Sequence, residues 1–129
     1  MANATKMQYE PGVCNIGPAE IRSRQRVGVG GAIVTVVAVV AFVILGVPDS
    51  WRWLVIIPAG VGAMGFLQGA FRFCARFGMA GLFNFGELGT EEAVYQQEYR
   101  RKDQRKAVLI SVLSLAIGIA VAVIAVLLP

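Results

Sequence analysis

The sequence contains no histidine, only two cysteines, and 16% charged residues among its 129 residues. Without histidine, the chain itself supplies no imidazole ligand for haem, chlorophyll or zinc, and no imidazole base for a Ser-His-Asp triad. We therefore predict that the chain is not an enzyme and holds no metal or cofactor through ligands of its own. A pigment-binding partner would have to supply the histidines.

Hydrophobic residues make up 57% of the chain, whereas soluble domains average about 45–50%. The excess falls in three long runs, at 27–47, 51–71 and 107–128. About 20 helical residues are needed to cross the hydrocarbon core of a bilayer. The sequence therefore predicts an all-α integral membrane protein with three transmembrane helices.

The first two runs, together residues 27–71, are separated by a short turn signal and predict a transmembrane helical hairpin. Residues 1–26 are polar and are expected to form an N-terminal segment on the cytoplasmic side. Within it, Pro18 suits the first position of a short helix, and Glu20 suits the first turn.

Residues 72–90 are rich in phenylalanine and glycine and are interpreted as an interfacial segment. Thr90 is a favourable N-cap, so residues 91–129 are predicted to form one long helix. Its first four turns would extend into the cytoplasm and its remainder would span the membrane.

The basic residues predict the orientation of the chain. Four precede the first apolar run, seven lie between residues 72 and 106, and only Arg52, at the start of the second run, is expected on the other side. By the positive-inside rule, the N-terminus is expected in the cytoplasm and the C-terminus outside. We expect the bacterial inner membrane as the location.

Small residues at a spacing of four let helix backbones approach closely in lipid. The second helix carries Gly65 and Gly69, and the third carries Ser114, Gly118 and Ala122. We predict that the first two helices pack on each other and that part of the third helix is left for partner subunits.

The basic residues after the second run form the candidate docking set. They are Arg72, Arg76, Arg100, Arg101, Lys102, Arg105 and Lys106. Basic residues next to a membrane span are attracted to anionic lipid headgroups by roughly 1 kcal/mol each. We expect contact with lipid phosphates or with a partner subunit, and no binding of nucleic acid.

Phenylalanines at a membrane interface usually anchor a helix or pack on its neighbours. For Phe73, Phe77 and Phe83, contact with a lipid, carotenoid or quinone is the alternative.

Cys14 and Cys74 are both expected on the cytoplasmic side of the membrane, where thiols stay reduced. Neither cysteine belongs to a C-x-x-C motif.

Part of the sequence resembles the YgaP-like inner-membrane transmembrane domain family. The similarity lies in CNIG at 14–17, EIR at 20–22, Pro58 and Cys74, within residues 14–86. It implies a two-helix hairpin that ends in a cysteine-containing segment. The chain departs from the family pattern at Ala75, where proline is usual, and in its additional third helix.

These features favour a non-catalytic accessory subunit of a larger membrane complex, of respiratory or photosynthetic type. No charge is expected inside the spans, which disfavours a pump or proton-coupled transporter. Two alternatives remain: a homo-oligomeric channel or transporter for a small anion near Arg72 and Arg76, and a thiol protein that uses Cys74.

Overall fold

The computed structural model describes residues 8–129, so residues 1–7, including Lys6, lie outside the described residues. Within these residues the fold is predominantly helical, with one short pair of strands. The helices are α1 (Pro18–Ile44), α2 (Asp49–Arg52), α3 (Ile56–Phe71), α4 (Ala75–Ala80) and α5 (Gln97–Leu127). A 3₁₀ turn, Trp53–Val55, joins α2 to α3, and β1 (Leu82–Phe83) pairs antiparallel with β2 (Glu92–Ala93).

Three helical stretches are long and apolar enough to cross a membrane: α1, the continuous stretch Asp49–Phe71, and α5. This confirms the all-α, multi-pass prediction at the level of helix number and composition. Pro18 begins α1, as predicted, because proline at a first helical position gives up no intrahelical hydrogen bond. The short helix expected at Pro18 is the beginning of this longer helix, since α1 runs unbroken for 27 residues, and a membrane boundary at residue 26 within it stays a prediction.

Glycines bring α1 and α3 into backbone contact. A Cβ placed on Gly65 would lie 2.5 Å from the backbone nitrogen of Gly28, and one on Gly31 would lie 2.5 Å from the Cα of Gly62. Gly69 lies further along the same contact, where its Cβ would be 3.0 Å from Cγ of Gln25. The predicted packing of the first two helices, with Gly65 and Gly69 in the contact, is confirmed.

The small-residue face of α5 packs inside the chain. Gly118 faces α3, where an added Cβ would lie 3.2 Å from the carbonyl oxygen of Ile56. Ser114 and Ala122, one turn away on either side, are also buried. The part of the third helix that is left for partners therefore does not include this face. Both α1 and α5 pack on α3 and make little direct contact with each other, so α3 is the middle helix of a three-helix layer.

The third long helix begins later than predicted. α5 starts at Gln97, because Glu92–Ala93 is paired with Leu82–Phe83 across the connecting loop. Thr90 does not cap a helix: its hydroxyl donates to the carbonyl oxygen of Glu87 at 2.6 Å, and Oδ1 of Asn84 lies 3.2 Å from the same hydroxyl. Contacts distant in sequence thus override the local capping preference.

The segment after α3 is a folded corner. α3 ends at Phe71 and is followed by Arg72, whose φ of 55° is left-handed, a conformation common just after a helix but usually taken by glycine. A new helix, α4, then begins at Ala75. Arg72 and Arg76 are consequently not neighbours on one helix, although a spacing of four would place them on the same face of a continuous helix.

Candidate functional site

A group of buried or half-buried polar side chains lies at the end of the layer where α1 and α5 begin, which we call the basic end. The group, here named the polar cluster, comprises Asn15, Glu20, Arg24, Cys74 and Asn84. Its centre is the guanidinium of Arg24, whose Nη2 lies 3.0 Å from Oε1 of Glu20 and 3.1 Å from Sγ of Cys74. The cluster therefore ties the first turns of α1 to the corner between α3 and α4.

Asn15 holds this corner from the N-terminal segment. The backbone N–H of Cys74 donates to Oδ1 of Asn15 at 2.7 Å, and Nδ2 of Asn15 donates to the carbonyl of Cys74 at 3.2 Å. The backbone N–H of Asn15 also donates to the carbonyl of Arg72 at 3.1 Å. These bonds satisfy polar backbone groups that the break between α3 and α4 would otherwise leave unpaired.

Asn84 connects the loop after β1 to the same cluster. Its Nδ2 donates to Oε2 of Glu20 at 2.9 Å and to the carbonyl of Glu87 at 2.8 Å. Both carboxylate oxygens of Glu20 are thereby engaged. Among the described residues, no buried side-chain nitrogen or oxygen lacks a partner. The polar cluster is thus fully satisfied by the chain itself, as expected for a structural network.

The two cysteines are both free and buried. The cation beside Cys74 belongs to Arg24, whereas the nearer residue in sequence, Arg76, lies over the ring of Phe77 at 5.1 Å. Cys14 contacts the carbonyl of Ile16 at 3.7 Å, and burial raises the pKa of its thiol. With Cys74 only 2% exposed, a reagent cannot reach its sulfur without local opening.

The three phenylalanines considered for a lipid-like ligand divide into two groups. Phe73 and Phe77 are 0% and 1% exposed, and each belongs to a small hydrophobic core at the basic end. Their rings have no surface free for a carotenoid or quinone. Phe83 is partly exposed and stacks on Tyr9 with ring centroids 4.9 Å apart, so a ligand contact there stays a prediction.

The basic docking set is dispersed over several environments. Arg72 follows the end of α3, Arg76 and Arg101 are exposed, and Nε of Arg100 donates to the carbonyl of Val94. The other three members, Lys102, Arg105 and Lys106, line a cleft against Pro11 and Gly12. Among the described residues the only ion pair is Arg24–Glu20, so none of the seven is in a salt bridge there.

Asp103 is a buried acid within this basic run, and its role was not predicted from the sequence. Its Oδ2 accepts a hydrogen bond from the hydroxyl of Tyr9 at 2.6 Å, and its Oδ1 accepts one from the backbone N–H of Gly12 at 2.8 Å. The signal was present, because Asp103 lies four residues before Ala107 and seven before Ile110, on the buried face of α5.

An apolar groove of about 440 Å³ runs along the layer between α1 and α5. Its floor is α3, with small residues at Ala59, Gly62 and Ala63. Its sides include Val36 of α1 and Val121 of α5; the full lining is Ala32, Thr35, Val36, Val39, Val40, Ala59, Gly62, Ala63, Phe66, Ile117 and Val121. Such a lining suits hydrocarbon or another helix and offers no charged path for an ion.

No protein-family model, curated protein or solved structure matches the chain. The resemblance of residues 14–86 to the YgaP-like family therefore stays a prediction. The structure does bring together residues that carried it, since Asn15, Glu20 and Cys74 all belong to the polar cluster. Among residues 8–129 there is no group of three acidic, cysteine or histidine side chains suited to a metal ion.

Proposed function

We propose that the chain is a non-catalytic subunit of a larger membrane complex and that it attaches through the groove between α1 and α5. The groove is the observation that carries this proposal. In lipid, burial of apolar surface gains little, so helices associate where small residues allow close packing. The floor at Ala59, Gly62 and Ala63 provides such a surface on a helix that already packs on both neighbours.

The exposure of α1 also supports attachment to a partner. Only 11% of its most apolar window is buried within the chain. The face of α5 that carries Gly118 is already used internally, whereas the groove is a small-residue surface that is open to another helix. We further propose a bacterial inner membrane, with the basic end in the cytoplasm, and a host of respiratory or photosynthetic type.

A pair of valines tests this proposal. Val36 and Val37 are both 62% exposed on α1, but only Val36 lines the groove. Val36→Phe should fill the groove and sharply reduce the amount of host subunits that co-purify in mild detergent, normalised to inserted protein. Val37→Phe, the matched control, should retain them. Equal retention by both variants would contradict attachment through the groove, and a pure, ion-conducting homo-oligomer would favour the channel alternative.

The contact between Arg24 and Cys74 favours one second candidate, a membrane thiol protein. In that case Cys74→Ser should abolish function while Cys14→Ser does not, although both replace a thiol with the same smaller hydroxyl. If the chain is a packing subunit, both serine variants should assemble with the host as the parent chain does. Co-purification yields from the two variants distinguish the candidates.

A further inference from the structure

Three cations and one leucine share a face of α5 at the point where its charged turns meet its apolar turns. Lys102, Arg105, Lys106 and Leu109 follow a spacing of three, one and three residues, which places them together on a helix. Pro11 and Gly12 form the opposite wall and complete a cleft of about 370 Å³. We call this site the basic cleft.

The wall of the basic cleft is fixed by Asp103. This carboxylate accepts hydrogen bonds from the backbone N–H of Gly12 and from the hydroxyl of Tyr9, so both of its oxygens are engaged. Gly12 adopts a φ of +72°, and an added Cβ would lie 3.2 Å from Cβ of Lys102. Only a glycine therefore lets the turn approach α5 this closely without strain.

The cations of the basic cleft have no acidic partner within the described chain. The ion pair recorded there joins Arg24 to Glu20, and Asp103 is buried and directed at the N-terminal turn. The ammonium of Lys106 lies over the ring of Phe71, 4.4 Å from its centroid. The positive charge of the cleft is thus available to an external anion.

We propose that the basic cleft binds the phosphate of an anionic phospholipid, with an acyl chain along Leu109. Leu109 is 46% exposed directly below the cations, and no charged residue follows Lys106 in α5. A soluble phosphate would satisfy the cations but would gain nothing from this apolar surface. A phospholipid contacts both the cations and the apolar surface. Its charged headgroup is joined to its acyl chains, just as the cations of α5 are followed directly by apolar residues.

Native mass spectrometry of the full-length protein tests the site, using mixed micelles that contain phosphatidylglycerol and phosphatidylcholine. The parent chain should retain phosphatidylglycerol preferentially. Lys102→Gln with Lys106→Gln should lower that retention roughly tenfold or more, since each cation contributes on the order of 1 kcal/mol near anionic lipid. Arg22→Gln with Arg26→Gln removes the same charge from exposed positions outside the cleft and should change retention little.

Further measurements separate a lipid site from other sources of anion binding. Leu109→Asn should weaken retention of phosphatidylglycerol while leaving all cations in place, and unchanged helicity by circular dichroism verifies the fold of each variant. Displacement of the lipid by inorganic phosphate would overturn the proposal in favour of a free-anion site. An equal loss in both charge-reduced double variants would overturn it in favour of diffuse attraction.

Discussion

The guanidinium of Arg52 donates a hydrogen bond to the carbonyl of Leu128 at 2.8 Å and another to the carbonyl of Ala125 at 3.0 Å. The same side chain donates from Nε to the carbonyl of Val47 at 2.9 Å. The last carbonyls of a helix have no intrahelical donor, and a cation there interacts favourably with the helix dipole. Arg52, the one basic residue among residues 8–129 that lies far from the basic end, therefore joins the end of α5 to the turn between α1 and α2.

We expect Arg52→Lys to lower the free energy of unfolding by about 2 kcal/mol. A lysine keeps the charge, but its single ammonium cannot donate at once to the carbonyl of Val47 and to the carbonyls at the end of α5, as the planar guanidinium does. Each charge-assisted hydrogen bond is worth about 1.5–3 kcal/mol. Thermal unfolding in detergent micelles measures the effect. Arg26→Lys, at an exposed position, is the control and should match the parent; equal stability of both variants would show that Arg52 does not fix α5.

Gly65→Leu should prevent α1 from packing on α3 and reduce the amount of folded protein. The backbone nitrogen of Gly28 and the carbonyl oxygen of Arg24 lie 2.5 and 2.6 Å from the position of the new Cβ, and neither can move without displacing α1. Gly30→Leu is the matched control, because nothing lies within 4 Å of its Cβ position. Detergent-solubilised yield by size-exclusion chromatography should fall for Gly65→Leu only.

Arg72→Gly should be more stable than Arg72→Ala by about 1 kcal/mol. Both variants lose the guanidinium, but only glycine adopts the left-handed backbone at this position without steric cost. Comparing their unfolding temperatures in the same detergent isolates the backbone effect. If the alanine variant is as stable as the glycine variant, the end of α3 is not strained at Arg72.

The apolar pattern predicted the parts of the fold that depend on local sequence. The start of α1 at Pro18 and the close contact at Gly65 followed from proline chemistry and small-residue spacing. The start of α5 did not, because the strand pairing that delays it involves residues nine and eleven positions apart. The role of Asp103 was also missed, since its partners, Tyr9 and Gly12, are more than 90 residues away.

Cys14 should react slowly with thiol reagents at neutral pH. Burial raises the pKa of its thiol, so the reactive thiolate forms only at more alkaline pH than in an ordinary thiol. The folded state favours the neutral Cys14 thiol, and the resulting contribution to the free energy of unfolding is fully present below the ordinary pKa of a thiol. This contribution is lost as the pH rises through the raised pKa of the folded state. Alkylation rates measured across the alkaline range should show a midpoint above that of a free thiol.

Tyr9→Phe should accelerate this reaction several-fold by loosening the N-terminal segment. The substitution removes the hydrogen bond from the Tyr9 hydroxyl to Asp103, one of two bonds that hold the segment on α5. Tyr95→Phe removes a hydroxyl from a residue that is 88% exposed and should leave the rate unchanged. Identical alkylation rates in the two variants would mean that Tyr9 does not hold the segment closed.

Gly118→Leu is expected to destabilise the chain itself rather than selectively release a partner. Gly118 packs on the first turn of α3, where Gly60 and the carbonyl of Ile56 lie 3.2–3.3 Å from the position of an added Cβ. Accommodating the leucine would require α5 to move away from the middle helix, which would also withdraw Ala125 and Leu128 from Arg52. The unfolding temperature should fall in the purified protein with no partner present. Ile119→Leu, at the exposed neighbouring position, should preserve it; a Gly118→Leu protein with parental stability that has lost its host subunits would instead place the partner on this face of α5.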